Sequence, residues 1–158
     1  MARGVSNACR RWSVATAVVC FLGAGAVEAA VHWGVRGGVY ADEEDLFIGG
    51  EALWNVGRDW RFNPNLEFVF VERGDLMTLN ADFQRQIHTA GQLEVWAGVG
   101  PAIVLVDRDF PRSDDEADPG VNLMLGVGTR RGDLRPYGQV KILLSDDSQA
   151  VFGFGVRF

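Results

Sequence analysis

The sequence predicts an all-β fold, an eight-stranded antiparallel up-and-down transmembrane β-barrel. Three observations carry that expectation. Period-two alternation recurs about eight times along the chain, no convincing amphipathic helix interrupts it, and the polar face of the segments carries charges of both signs in equal number. The clearest segment is 149–158, where Ala150, Phe152, Phe154, Val156 and Phe158 share one face and Val151, Gly153, Gly155 and Arg157 the other. Such a run is a strand with one oily side.

The first 29 residues read as a cleavable signal peptide, with residues 30–158 as the barrel domain. Arg3, Arg10 and Arg11 form a basic start, an uncharged apolar run covers 12–27, and Val27-Glu28-Ala29 offers a small-residue cleavage site. A retained anchor is the alternative, but the run is short for a span. A lipid-modified Cys20 is disfavoured by the bulky Val19 before it. Both cysteines, Cys9 and Cys20, lie in this leader, so disulfides and thiolate metal sites are not expected in the remainder. Three basic residues and one acidic residue leave with it, so 12 basic residues face 20 acidic ones, a net charge of −8. That balance argues against binding nucleic acid.

The segments follow in order. In 31–40, Val31, Trp33, Val35 and Val39 oppose His32, Arg36 and Tyr40, and 41–45 turns the chain. In 46–55, Leu46, Ile48, Ala52 and Trp54 oppose Glu51 and Asn55, with a turn at 56–59. In 60–71, Phe62, Leu66, Phe68 and Phe70 oppose Arg61, Asn63, Asn65 and Glu67, and Pro64 predicts a bulged first third. After 72–75, the segment 76–87 sets Met77, Leu79, Ala81 and Phe83 against Thr78, Asn80, Asp82 and Gln84, and 88–91 turns. The longest candidate, 92–106, sets Leu93, Val95, Val99, Ile103 and Leu105 against Glu94, Trp96, Gly98 and Gly100, with Pro101 awkward for a central strand. A long loop is expected over 107–119. The remaining strands are 120–130, 134–144 and 149–158, joined by turns at 131–133 and 145–148.

Which face points inward decides between a soluble and a membrane barrel. A lipocalin-like soluble barrel is apolar inside. Here the face opposite the oily one carries Arg36, Arg61, Lys141 and Arg157 with Glu51, Glu67, Asp82 and Glu94. An eight-stranded interior is just wide enough for side chains to fill, so such charges can pair there, whereas lipid would offer them nothing. The pattern is apolar-out and polar-in. Trp33, Trp54, Trp60, Phe83 and Phe158 fall at strand ends on the rim shared with both termini, as an interfacial girdle would. The opposite rim is strongly acidic, while the turns on the terminal side hold Arg58, Arg130, Arg131 and Arg135 against Asp59 and Asp133.

Gly153, Val156 and Phe158 fit a C-terminal barrel-assembly signal of glycine, two residues, a hydrophobic residue, any residue and an aromatic end. Trp96-Ala-Gly-Val-Gly100 looks like a glycine-rich barrel strand. On these residues the mature chain resembles the small eight-stranded outer-membrane barrels, the OmpA/OmpX-like family. Val151 stands where that family prefers a polar residue. The resemblance implies a monomer in the outer membrane, reached by secretion through the inner membrane. Its implied partners are the barrel-assembly machinery during biogenesis, then outer-membrane lipid and lipopolysaccharide.

Chemistry is sparse. The barrel domain has His32 and His88 toward the terminal rim, and Ser113, Ser145 and Ser148 toward the other, so no histidine activates a serine. A lipid A-modifying enzyme, which the resemblance would equip with a His-x-Ser pair, is therefore not expected. Asp107, Asp109, Asp114, Asp115, Glu116 and Asp118 form a candidate divalent-cation rim, since hard oxygen ligands suit Ca²⁺ or Mg²⁺, although the spacing matches no known calcium loop. Such ions would bridge to lipopolysaccharide phosphates; a solvated acidic loop is the plainer reading. The Arg-Gly-Asp triplets at 73–75 and 131–133 read as turns. Glycines 98, 100, 126, 128, 153 and 155 point inward, either leaving a channel or making room for Trp96, Met124 and Tyr137. No other cofactor is expected. The sequence thus predicts a non-enzymatic envelope barrel with a closed, charge-filled interior, a small-solute channel or ligand-binding barrel being the alternative.

Overall fold

The computed structural model describes residues 31–71, 75–107, 116–146 and 148–158. The expected signal peptide lies outside the described residues. Eight strands follow in chain order: β1 His32–Tyr40, β2 Asp45–Asn55, β3 Trp60–Phe70, β4 Asp75–Ala90, β5 Leu93–Asp107, β6 Glu116–Thr129, β7 Arg135–Leu144 and β8 Gln149–Arg157. Each pairs antiparallel with the next, and β8 pairs with β1, so the sheet closes into an up-and-down barrel. The seam runs its full height: Trp33 and Phe158 exchange backbone hydrogen bonds of 3.2 and 2.8 Å. Closure leaves no open sheet edge within the wall.

Three local expectations need correction. Pro64 produces no bulge: Glu51 faces Asn65 and Trp54 faces Phe62 in one continuous register, and β3·β4 also runs unshifted. Proline has no N–H for the ladder, and the Asn63 side chain fills the gap by donating to the Ala52 carbonyl at 3.0 Å. The irregularity lies instead between Gln86 and His88, where the β4·β5 register shifts and β4 continues to Ala90. A bulge lets the strand absorb an extra residue without losing its partner. Finally, the loop expected over 107–119 is shorter, because Glu116–Pro119 already pair with β5. Proline and acidic residues there read as loop, yet the hairpin carries the ladder past them.

The wall is apolar outside and polar inside. Among the described residues twenty-five large apolar side chains are exposed, including Val35, Ile48, Phe68, Leu125, Ile142 and Phe154. The interior is filled. Trp96 is fully buried and lies against β6, where a Cβ on Gly126 would come within 2.4 Å of its ring; a Cβ on Gly155 would come within 2.7 Å of the Tyr137 ring. Gly126, Gly128 and Gly155 therefore make room for Trp96 and Tyr137, and Gly98 for Met124. In the turn between β6 and β7, Gly132 has φ 110°, which explains glycine in that Arg-Gly-Asp triplet.

The same geometry separates two kinds of glycine. Gly126→Ala is expected to destabilise the barrel by about 1–3 kcal/mol, since Trp96 or the wall must move. Gly138→Ala, whose Cβ would meet nothing within 4 Å, should change stability by less than about 0.5 kcal/mol. Guanidinium unfolding followed by tryptophan fluorescence, in matched micelles, checks both.

Candidate functional site in the barrel interior

Alternation sends Arg36 of β1, Glu51 of β2, Arg61 and Glu67 of β3, Asp82 of β4, Glu94 of β5, Lys141 of β7 and Arg157 of β8 into the lumen, and all eight are buried. Five of them form one chain of alternating sign. The Arg157 Nε donates to Glu51 Oε1 at 2.6 Å, and Arg36 stands between the two glutamates, 3.6 Å from Glu51 Oε2 and 3.1 Å from Glu67 Oε1. Lys141 Nζ then donates to both Glu67 oxygens at 2.9 and 2.8 Å. Strands β8, β2, β1, β3 and β7 are thereby tied across the lumen. Arg61 and Glu94 form a separate pair at 2.7 Å nearer the terminal rim.

Among the described residues Asp82 forms no ion pair and is held by amides, Asn65 Nδ2 at 2.7 Å and Asn122 Nδ2 at 2.9 Å. Asn122 also donates to Asn80, and Asn80 to Asn65, while Gln84 donates to Asn63. This amide lattice was visible in the sequence only as the polar half of each alternation. Its pairing was hidden, because period two gives the face of a residue and not its height in a tilted barrel.

Toward the terminal rim the cations meet aromatic faces. The Arg157 guanidinium carbon lies 4.2 Å from the centroid of Tyr137 and 5.1 Å from that of Trp96, and Arg61 lies 5.4 Å from the Trp96 centroid. Toward the other rim the interior changes character. Tyr40, Phe47, Val69, Ala102, Leu143 and Val151 pack into an apolar cluster, flanked by Val71, Leu76 and Val104. The interior is therefore not charged throughout, as the sequence had implied, but a charged layer beneath an apolar cap. Tyr40 joins the two, its hydroxyl donating to Glu67 Oε2 at 2.6 Å.

The other candidate residues scatter. Gly153 faces inward, whereas Val156 and Phe158 face outward, Phe158 exposed at the seam. Of the candidate cation rim, Asp109, Asp114 and Asp115 lie outside the described residues. Asp107 and Glu116 lie in the β5·β6 hairpin, and Asp118 is half-buried in β6. His32 meets Arg135, with 2.5 Å between Nη2 and Nδ1, and His88 is exposed at the same end. Ser145 and Ser148 sit at the opposite rim.

Fold and interior together define a transmembrane β-barrel with an internally neutralised core. No family model matches the chain, and no curated protein matches it. Solved structures do. The chain is similar to the N-terminal β-barrel domain of Pseudomonas aeruginosa OprF (TM-score 0.69, 14% identity, covering 81% of this chain and 95% of that one). It is also similar to Neisserial surface protein A (TM-score 0.67, 12% identity, 82% and 97%) and to Ail, the attachment invasion locus protein of Yersinia pestis (TM-score 0.53, 13% identity, 82% and 97%). At such identities the likeness is one of fold, that of the small eight-stranded outer-membrane barrels.

Glu67 is the test of the charged layer. Glu67→Gln leaves Lys141 and Arg36 buried without their shared counter-charge and should cost about 3–5 kcal/mol. Glu94→Gln, in a pair less completely shielded from water, should cost clearly less. Adding Lys141→Met to Glu67→Gln should recover part of the loss, read as coupling in a double-mutant cycle of unfolding free energies.

Proposed function

We propose that this protein is an integral outer-membrane β-barrel with a structural role in the envelope, monomeric, non-enzymatic and closed to solutes. The observation that carries the reading is its inverted polarity. Exposed apolar side chains cover the outer wall, while among the described residues fifteen polar or charged side chains are buried. A soluble barrel would face water with that outer surface and aggregate. Surrounded by hydrocarbon, the same surface is fully compatible with its solvent.

Closure is supported by two layers in series. The ion chain from Arg157 to Lys141 crosses the lumen, and the apolar cap from Tyr40 to Val151 covers it. Ion passage would require parting buried counter-charges and then wetting an apolar constriction. The non-enzymatic reading is supported by position: His32 and His88 stand at the end of the barrel opposite Ser145 and Ser148, too far for a base to activate a hydroxyl. The acidic rim is read as the outward face, where lipopolysaccharide and its bridging divalent cations would be met, and the terminal rim as the periplasmic one. Assembly machinery would engage β8 and Phe158.

Detergent-extracted protein should migrate differently on a gel before and after boiling, as folded barrels resist denaturation by dodecyl sulfate. In planar bilayers the unmodified barrel should give no conductance steps. A protein released without detergent and lacking the gel shift would overturn the membrane reading; regular unitary currents would overturn closure alone.

A further inference from the structure

We propose that the terminal-side rim carries a binding site for one anionic phospholipid, built from Arg58, Trp60 and Arg85 above the aromatic shelf of Trp54, Phe62 and Phe83. The proposal rests on the membrane reading above and adds to it a ligand and its location.

The argument begins with a residue that breaks the pattern of its strand. The outward positions of β4 run Met77, Leu79, Ala81, Phe83 and then Arg85. Arg85 thus places a guanidinium on the wall that faces hydrocarbon, one step beyond the last aromatic. It is exposed, and among the described residues it forms no ion pair. Its one specific contact is with Trp60, the residue facing it on β3, whose ring centroid lies 5.9 Å from the guanidinium carbon. Arg58, also exposed and without an ion pair among the described residues, stands two positions before Trp60 in the turn at 56–59. That turn is held against β4, since the Gln86 N–H donates to the Asp59 carbonyl at 2.9 Å. Asp59 contributes the turn's one carboxylate, so the cluster keeps a net positive charge.

Two residues deeper along the strands, about 7 Å toward the hydrocarbon, three rings pack in a row across β2, β3 and β4. Trp54 and Phe62 are 5.0 Å apart between centroids, Phe62 and Phe83 4.9 Å. Beyond them the wall is aliphatic at Leu66 and Leu79. From rim to mid-wall the sequence of chemistry is cation, indole, aromatic shelf, aliphatic surface. A phospholipid presents the complementary order: phosphate, glycerol ester, acyl chain. Guanidinium groups bind phosphate through paired N–H donors, and among the described residues neither Arg58 nor Arg85 forms an ion pair that would compete. The remaining rim arginines differ: Arg135 is engaged with His32, and Arg130 and Arg131 stand in the β6–β7 turn beside Asp133, away from the aromatic shelf.

The test is native mass spectrometry of the folded barrel released from micelles holding equal amounts of phosphatidylglycerol and phosphatidylcholine. The wild-type barrel should retain one phosphatidylglycerol in preference. Arg58→Gln with Arg85→Gln should reduce the preference by about fivefold or more, the scale of one basic side chain's attraction to an anionic surface. Arg130→Gln with Arg131→Gln should leave it unchanged, and the charge-keeping Arg58→Lys with Arg85→Lys, which loses the paired donors, should fall between the wild type and the glutamine variant. Equal retention by the wild type and the Arg58/Arg85 glutamine variant would overturn the site. So would complete loss of the preference on adding inorganic phosphate, which would mark a free-anion site instead. A boiled-against-unboiled gel on every variant keeps the outcomes apart: heat-modifiable barrels without lipid preference sink this site only, whereas no heat shift in the wild type sinks the membrane reading with it.

Discussion

Everything in this barrel depends on a carboxylate that no solvent reaches. Glu67 is held by Lys141, Arg36 and Tyr40 at once, and Arg36 passes the link on to Glu51 and so to Arg157. A lumen narrow enough to be filled by side chains gives each charge only its neighbours for compensation. The charges therefore have to be placed together, and removing Glu67 strands Lys141 and leaves Arg36 with Glu51 alone. All but one of the ties, Arg36 to Glu51, cross between strands that are not adjacent in the sheet. Backbone ladders already join neighbours; the ion chain joins β7, β8, β1, β2 and β3 through the interior.

The wall has its own accounting, in which every N–H and C=O must find a partner where lipid offers none. Four prolines sit in strands and cost a donor each, Pro119 and Pro136 near strand ends and Pro64 and Pro101 in mid-strand. At Pro64 the compensation is visible, since an inward asparagine reaches back to the Ala52 carbonyl. At Pro101 the pairing with β6 is intact, through Val121, while the β4·β5 register resumes unshifted on either side at Ala102 and Val99. The prolines interrupt hydrogen bonds without displacing a strand, which is why inward and outward faces stay in phase along β3 and β5. Had either forced a one-residue slip, the charged set on that strand would have turned to face lipid.

Much of this was legible in the sequence. Eight strands and the face of the eight interior charges follow from alternation, and their order from the short turns, because a two-sided wall between lipid and a polar lumen makes polarity report directly on face. Three things were not legible, for related reasons. The amide lattice around Asp82 depends on relative heights, which tilt and stagger set and period two does not encode. The cap was obscured because Phe47, Val69, Leu143 and Val151 are inward and apolar, a combination that runs against the rule used to assign faces. And the extended ends of β4 and β6 lie toward the rims, where the exposed His88 and the half-buried Asp118 stay within reach of water, so their polarity carries little information about strand membership.

The inward face of β8 shows how these demands are reconciled in one strand. Val151 is buried in the cap with Tyr40, Phe47 and Leu143. Gly153 leaves space that Phe47 and Arg36 border, Gly155 leaves the space that Tyr137 fills, and Arg157 closes on Glu51. Each position has an interior neighbour that dictates it. Val151 is also the position at which the resemblance to OmpA/OmpX-like barrels would favour a polar side chain. A polar group there would be buried among aliphatic and aromatic carbon with no partner supplied by the cap, at a cost of about 1–3 kcal/mol. The departure from that pattern goes with the apolar cap, which covers the ion chain at that end. Interior packing, more than the requirements of the terminal motif, decides what β8 presents to the lumen.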